Sequence, residues 1–373
     1  MLSRSSLFVA IVVLLCQSFL SRADQNVLTS PVGGKLVTVE PNRNITALDP
    51  FSPDTYNHRY DDINGIKYHY VDEGPKDGPV VVLLHGFPDL WYGWRHQIKF
   101  LTARGYRVIC PDLRGYGETS SPLSPPNDIR SYGLKNISND IIEILDKNNI
   151  GKFVLIGHDW GGFLAWRVYL HHPERVLGVA SFCTPYIPPQ KTFYKPEQIV
   201  KMVPTMAYQL IFAKLETVKY FDANVGLALR SIFRCNKPED DALGFLKHTL
   251  LLPQDAGLSQ PKPDNIMSEK ELQYYIDTYT KAGFYGGLSW YRTLRVIFEE
   301  EIDLPTTIDV PSMMVTAGQD TILLPILTIH MPLYIPNLKR AHIENGTHWV
   351  LMEEPDLSNK YIAEFLDSLK LEV

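Results

Sequence analysis

The sequence predicts an α/β protein with a mostly parallel sheet core and an inserted helical cap. Two observations predict it. From residue 66 to residue 182, short apolar runs alternate with helix-period patterns, the rhythm of right-handed βαβ units. After Thr184-Pro185 that rhythm stops: residues 187–300 are rich in helix formers and aromatics and lack buried Val/Ile runs, and strands return only at Pro311–Ala317. One core is therefore split by a helical insertion.

The elements follow in order. Ile66-Lys67-Tyr68-His69-Tyr70 alternates as a half-buried strand, and Pro79–Leu84 is a continuous Val/Leu run suited to a strand covered on both faces. Trp94–Arg104 reads as a helix with Gly105 at its C-terminal cap. Tyr106–Cys110 is a buried strand, and Ile137, Ile141, Ile144 and Leu145 mark one face of a helix. Phe153–Ile156 is a strand, Gly162–His172 a helix stopped by Pro173, and Val176–Phe182 a strand. Pro-rich breaks fall in the insertion at Pro253, Pro261 and Pro263. Lys339–Ile343 reads as the last strand and Leu357–Leu369 as an amphipathic closing helix.

The expected organisation is a signal peptide at 1–23, an N-terminal extension at 24–58, the first part of the core at 59–186, the cap at 187–300 and the second part of the core at 301–373. Arg4 precedes an apolar stretch from Leu7 to Leu20, and Ser21-Arg22-Ala23 offers small residues for cleavage. The stretch is shorter than the roughly 20 residues that span a bilayer, so a removed leader fits better than a retained endoplasmic-reticulum membrane anchor. A secreted or lumenal chain is expected, without stable membrane insertion. The extension is polar and proline-rich, with one candidate strand at Lys35–Glu40. Asn44 and Asn136 are candidate glycan acceptors; a third sequon, Asn345, is expected bare because it adjoins a catalytic loop. Of four cysteines Cys16 leaves with the leader, and Cys110, Cys183 and Cys235 read as free thiols.

Composition excludes several functions. A net charge of −6 and the lack of a basic run with interleaved aromatics argue against nucleic-acid binding. Hydrophobic content of 45% and charged content of 21% are those of a globular protein. No metal-ligand cluster or nucleotide fingerprint is visible, so no cofactor or metal is expected.

The chemistry concentrates where strands end. Phe153–Gly162 reads strand, tight turn, helix, with Gly157 and Gly161 two residues either side of Asp159. That is the spacing of a nucleophile elbow with a carboxylate at its centre. His85-Gly86-Phe87-Pro88 follows another buried strand, where a turn would aim the Phe87 N–H at an oxyanion; the Trp160 N–H would be the second donor. Asp320 follows the strand at 312–317, and His348 follows the last strand. Nucleophile, acid, then histidine, each after a core strand, is the chain order of a hydrolase triad. No Gly-x-Ser-x-Gly occurs, which excludes an ordinary serine esterase.

Together His85–Pro88, Asp112-Leu113-Arg114-Gly115-Tyr116-Gly117, Gly157–Gly162 and Gly346-Thr347-His348-Trp349 resemble the epoxide hydrolases of the α/β-hydrolase superfamily, from about residue 55 onward. Haloalkane dehalogenases share the Asp nucleophile and the Asp-Trp pair. The cap discriminates. Leu288-Ser289-Trp290-Tyr291-Arg292 and Ala207-Tyr208-Gln209-Leu210 are similar to the two family segments that carry ring-opening tyrosines, with Ser289 where the family often has Asn. The resemblance implies an α/β-hydrolase fold and catalytic Asp159, Asp320, His348, Tyr208 and Tyr291. Trp290, Trp349 and Pro88 are expected at the substrate, a small lipophilic epoxide that reacts with water to give a diol. His158 reads as a support of the elbow; Arg114 and Glu299-Glu300-Glu301 read as structural or solvated. A non-catalytic binding protein of the same fold is the remote alternative, and a cap-mediated homodimer stays open.

Overall fold

The computed structural model describes residues 48–233 and 266–371. The leader, the candidate strand at Lys35–Glu40, Asn44, Cys235 and the three cap prolines lie outside these residues.

The chain opens with β1 (His58–Ile63), which turns through Asn64-Gly65 into β2 (Ile66–Glu73). β3 (Val80–Leu84) is followed by α1 (Arg95–Ala103), β4 (Arg107–Pro111) and α2 (Leu134–Lys147). β5 (Phe153–His158) leads into α3 (Trp160–His171), and β6 (Val176–Phe182) ends the first part. Between β6 and the next strand the described elements are all helical: α4 (Pro196–Met202), α5 (Tyr208–Phe212), α6 (Leu215–Ala223), α7 (Val225–Ile232), α8 (Glu269–Ala282), α9 (Tyr285–Ser289) and α10 (Leu294–Glu301). Then come β7 (Ser312–Ala317), β8 (Leu338–Ile343), α11 (Val350–Glu353) and α12 (Pro355–Ser368).

The eight strands form one sheet in the order β1-β2-β4-β3-β5-β6-β7-β8. Pairing is antiparallel from β1 to β2 and from β2 to β4, and parallel across the rest. Every side chain of β3, β4, β5 and β7 is buried, which is why these strands read as unbroken apolar runs rather than alternating ones. Ile137, Ile141, Ile144 and Leu145 all face the core, and Gly105 takes a φ of 87° at the end of α1.

β1 was not expected. Its residues are polar because it is an edge strand with only Ile63 fully buried. The sequence does carry its marker: Asn64 and Gly65 have φ of 51° and 78°, the left-handed pair of a two-residue hairpin turn. Helix α3 starts at Trp160 rather than Gly162, since the elbow turns directly into it. Among the described residues no helix is long and apolar enough to cross a membrane. Cys110 and Cys183 are buried free thiols. Asn136 lies in the first turn of α2, its amide donating to the Arg130 carbonyl at 2.7 Å, and Asn345 is exposed.

Candidate active site

The C-terminal ends of β3, β5, β7 and β8 converge, and each contributes one part. At the end of β5, Asp159 is held at φ 51° and ψ −125°, a conformation that costs a non-glycine residue about 1–3 kcal/mol. The surrounding glycines make it reachable. A Cβ on Gly157 would lie 2.2 Å from the Gly161 carbonyl oxygen, and one on Gly161 would lie 2.0 Å from that of Leu84. Thr184 Oγ1 donates to the Asp159 carbonyl at 2.8 Å and fixes the turn from below.

The two carboxylate oxygens of Asp159 have different surroundings. Oδ1 accepts from the Phe87 N–H at 2.8 Å, and Oδ2 lies 3.6 Å from His348 Nε2. Gly86 is required beside them, because its Cβ would meet Asp159 Oδ1 at 2.2 Å. The Trp160 N–H, first of helix α3, has no partner within the helix ladder. His348 Nδ1 meets Asp320 Oδ2 at 2.8 Å, while Asp320 Oδ1 accepts from the Ile322 and Leu323 N–H groups, each at 2.8 Å. Asp320 is thereby held in one orientation, and its bond to Nδ1 turns Nε2 toward Asp159.

Electrostatics follow from this packing. Burial alone would raise the carboxyls of Asp159 and Asp320, but His348 and the backbone N–H donors hold both below the usual carboxylate range. Burial would likewise depress His348, yet Asp320 and Asp159 outweigh it and push it up to about 10. The resting site is a carboxylate, an imidazolium and a second carboxylate. His158 behaves otherwise. Burial, then the neighbouring His348, lowers it to about 4, and its Nε2 bonds the His348 carbonyl at 2.7 Å. It is a neutral strut under the histidine loop.

Tyr208 and Tyr291 stand above Asp159, their ring centroids 5.9 Å apart. Tyr291 packs edge-on against Trp160 at 5.2 Å and against Phe87 at 5.6 Å, the residues that flank the carboxylate. Burial, together with each other and the Asp159 charge, raises the phenols, so both stay protonated. The two candidate tryptophans are engaged through their indoles: Trp290 Nε1 donates to the Arg114 carbonyl at 3.0 Å and Trp349 Nε1 to the Ile232 carbonyl at 3.1 Å. Pro88 is buried behind Phe87. Ser289 bonds back to the Tyr285 carbonyl at 2.6 Å and leaves Tyr291 untouched.

Arg114 forms a two-pronged buried pair with Asp140 at 2.9 and 2.7 Å, far from any reacting atom in role. Of the acid run, Glu299 is paired at the surface with Arg130 and Arg295, Glu300 accepts from the Lys135 N–H, and Glu301 forms a buried pair with Arg167. Sequence reasoning missed His85, whose Nε2 accepts from the Leu113 N–H at 2.9 Å and pins the loop bearing Phe87. It also missed Asp89, discussed below.

A family model described as alpha/beta hydrolase fold matches residues 79–355, and this chain belongs to that family. Its relatives narrow the assignment. It is 36% identical over 341 residues to the epoxide hydrolase srdG of Neurospora crassa, covering 86% of this chain and 98% of that one. It is also 36% identical to the rat bifunctional epoxide hydrolase 2, over 85% of this chain but 56% of the rat protein. The chain thus spans little more than half the length of the mammalian relatives it matches. The crystal structure of epoxide hydrolase A from Mycobacterium thermoresistibile superposes with a TM-score of 0.74 at 29% identity, over 85% of this chain and all of that one. Within the α/β hydrolases, the chain falls among the epoxide hydrolases.

Proposed function

We propose that the protein hydrolyses a small lipophilic epoxide to a vicinal diol through an ester on Asp159. The observation that carries this reading is the pair of phenols, Tyr208 and Tyr291, standing over an ionised Asp159.

Asp159 Oδ2, the oxygen not held by Phe87, attacks an epoxide carbon and the ring C–O bond breaks. The leaving oxygen is a strong base and takes a proton from a phenol. The charge that raised the phenols has by then left Asp159, so the proton becomes easier to give as it is needed. The imidazolium of His348 then returns a proton to the phenolate and becomes neutral, since the ester no longer holds it charged. Neutral His348 deprotonates a water that attacks the ester carbonyl carbon. Negative charge returns to Oδ1, where the N–H groups of Phe87 and Trp160 stabilise it, typically by about 3 kcal/mol per donor. The Cγ–Oδ2 bond breaks, the diol takes a proton from His348, and Asp159 is a carboxylate again.

A dehalogenase would need N–H donors for a halide, but the indole of Trp290 is committed to the Arg114 carbonyl. Incubation with a lipophilic epoxide and a matched haloalkane is the test: diol without halide is expected, and halide without diol overturns the reading.

We infer further that residues 1–23 are a removed signal peptide and that the mature chain is secreted or lumenal, with glycan at Asn44 or Asn136. The apolar stretch Leu7–Leu20 supports this. A mature N-terminus near Asp24 is expected, and a full-length chain in a carbonate-resistant membrane fraction would decide for an anchor.

A further inference from the structure

The oxyanion donor at Phe87 sits on a segment, residues 85–90, that has no helix or strand to hold it. Its position depends on side chains. From below, His85 accepts from the Leu113 N–H, and Asp112 Oδ1 accepts from the Trp91 N–H at 3.0 Å. From above, one face of the cap helix α8 reaches down with Glu271, Tyr274 and Tyr275, the i, i+3, i+4 spacing of neighbours on a helix.

Each makes a bond across the core–cap boundary. Glu271 Oε1 pairs with Arg95 Nη2 at 2.7 Å, while its Oε2 accepts from the Ser268 N–H and completes the N-terminal cap of its own helix. The Tyr274 hydroxyl accepts from Trp91 Nε1 at 2.9 Å. The Tyr275 hydroxyl donates to Asp89 Oδ1 at 2.7 Å. Asp89 closes the turn that contains Phe87. Its N–H donates to the Gly86 carbonyl at 3.0 Å, its Oδ1 also accepts from the Leu90 N–H at 2.8 Å, and its Oδ2 lies 1.9 Å from where a Gly93 Cβ would stand. Asp89 and Tyr275 are both buried.

We propose that Tyr275 and Asp89 are positioning residues through which helix α8 sets the Phe87 N–H against Asp159, making ester hydrolysis depend on how the cap is seated. The proposal rests on the two-step reaction above and gives the two steps opposite responses. Before alkylation Asp159 Oδ1 is charged, and the Phe87 bond stabilises that reactant. Misplacing the N–H therefore does not slow alkylation. In hydrolysis charge returns to Oδ1, so the same misplacement removes transition-state stabilisation.

The test is a rapid-quench comparison of the parent protein with Tyr275→Phe and Asp89→Asn, following alkylated protein by intact mass. Tyr275→Phe removes one hydroxyl and keeps the ring against Phe233 and Tyr92. The parent is run first: if it never alkylates, the epoxide reading fails rather than this one. With alkylation established, Tyr275→Phe is expected to hydrolyse its ester roughly 10-fold more slowly, a fraction of the 10²–10³ for losing a whole donor, with alkylation at the parent rate or faster. Ester then accumulates during turnover. Asp89→Asn should act in the same direction. Equal slowing of both steps, or no change in hydrolysis in either variant while thermal melting confirms folding, overturns the proposal.

Discussion

Replacing Tyr291 by phenylalanine removes one oxygen and little else. The ring lies edge-on to Trp160 and Phe212 at 5.2 Å each and to Phe87 at 5.6 Å, and a phenyl group keeps all three contacts. Stability should change by less than about 1 kcal/mol, as for a volume-conserving change. Ring opening should respond far more. A hydrogen bond to a group acquiring charge contributes about 1.5–3 kcal/mol, or roughly 10- to 150-fold in rate. Tyr208 stands 5.9 Å away, centroid to centroid, and still offers a proton, so the single variant belongs at the low end of that range. Removing both phenols eliminates general-acid help altogether, a loss of about 10²–10⁴. The assay is single-turnover alkylation in a His348→Gln background, where ester accumulates and intact mass counts it. Trp160, beside Tyr291, provides a fluorescence trace of the same step. Parent-rate alkylation in the Tyr208→Phe/Tyr291→Phe protein would refute the role of the phenols.

Three other outcomes follow from named contacts. Glu301→Ala leaves Arg167 buried without its partner at 2.8 and 2.9 Å and should destabilise the protein by roughly 3–5 kcal/mol in denaturant melts, whereas Arg167→Met with Glu301→Leu should recover most of that loss. Because His348 is raised to about 10 in the folded chain from an ordinary value near 6.5, its contribution to stability is complete below about pH 6.5 and is lost as pH rises through about 10. Melting temperature should fall across that window, and His348→Gln should flatten the fall. Gly161→Ala drives a Cβ to 2.0 Å from the Leu84 carbonyl oxygen, a backbone atom that has no room to yield. Loss of soluble protein, or of the Asp159 alkyl adduct in what folds, is the expected result; an alkylating, fully folded Gly161→Ala protein would show that the elbow tolerates a side chain.

What could be read in the sequence was what local chemistry determines. Val176–Phe182 has the bounds expected of it because it is a short, almost fully buried strand closed by a positive-φ residue, Cys183. Gly157 and Gly161 announce the elbow because backbone atoms occupy the places of their Cβ atoms. Asp320 and His348 were legible from their order after strands. Long-range partnerships were not. Asp89 and Tyr275 are 186 residues apart, Arg167 and Glu301 134, and no spacing rule connects them. The commitment of the Trp290 indole to the Arg114 carbonyl, 176 residues away, was equally invisible, although it bears directly on the choice between epoxide and halide. β1 was missed for the opposite reason: its Asn-Gly turn was in plain view, but its polar residues concealed an edge strand.

The central claim is that Asp159 itself joins the substrate and that the ester is cleaved at its carbonyl carbon. One turnover in ¹⁸O-water, with protein in excess over epoxide, tests it directly. Oδ2 should leave in the diol and the oxygen of water should remain on Asp159. The account therefore predicts unlabelled diol from the first turnover and a peptide containing Asp159 heavier by one ¹⁸O. Labelled diol with an unlabelled Asp159 would mean that water attacks the epoxide directly, and would contradict it.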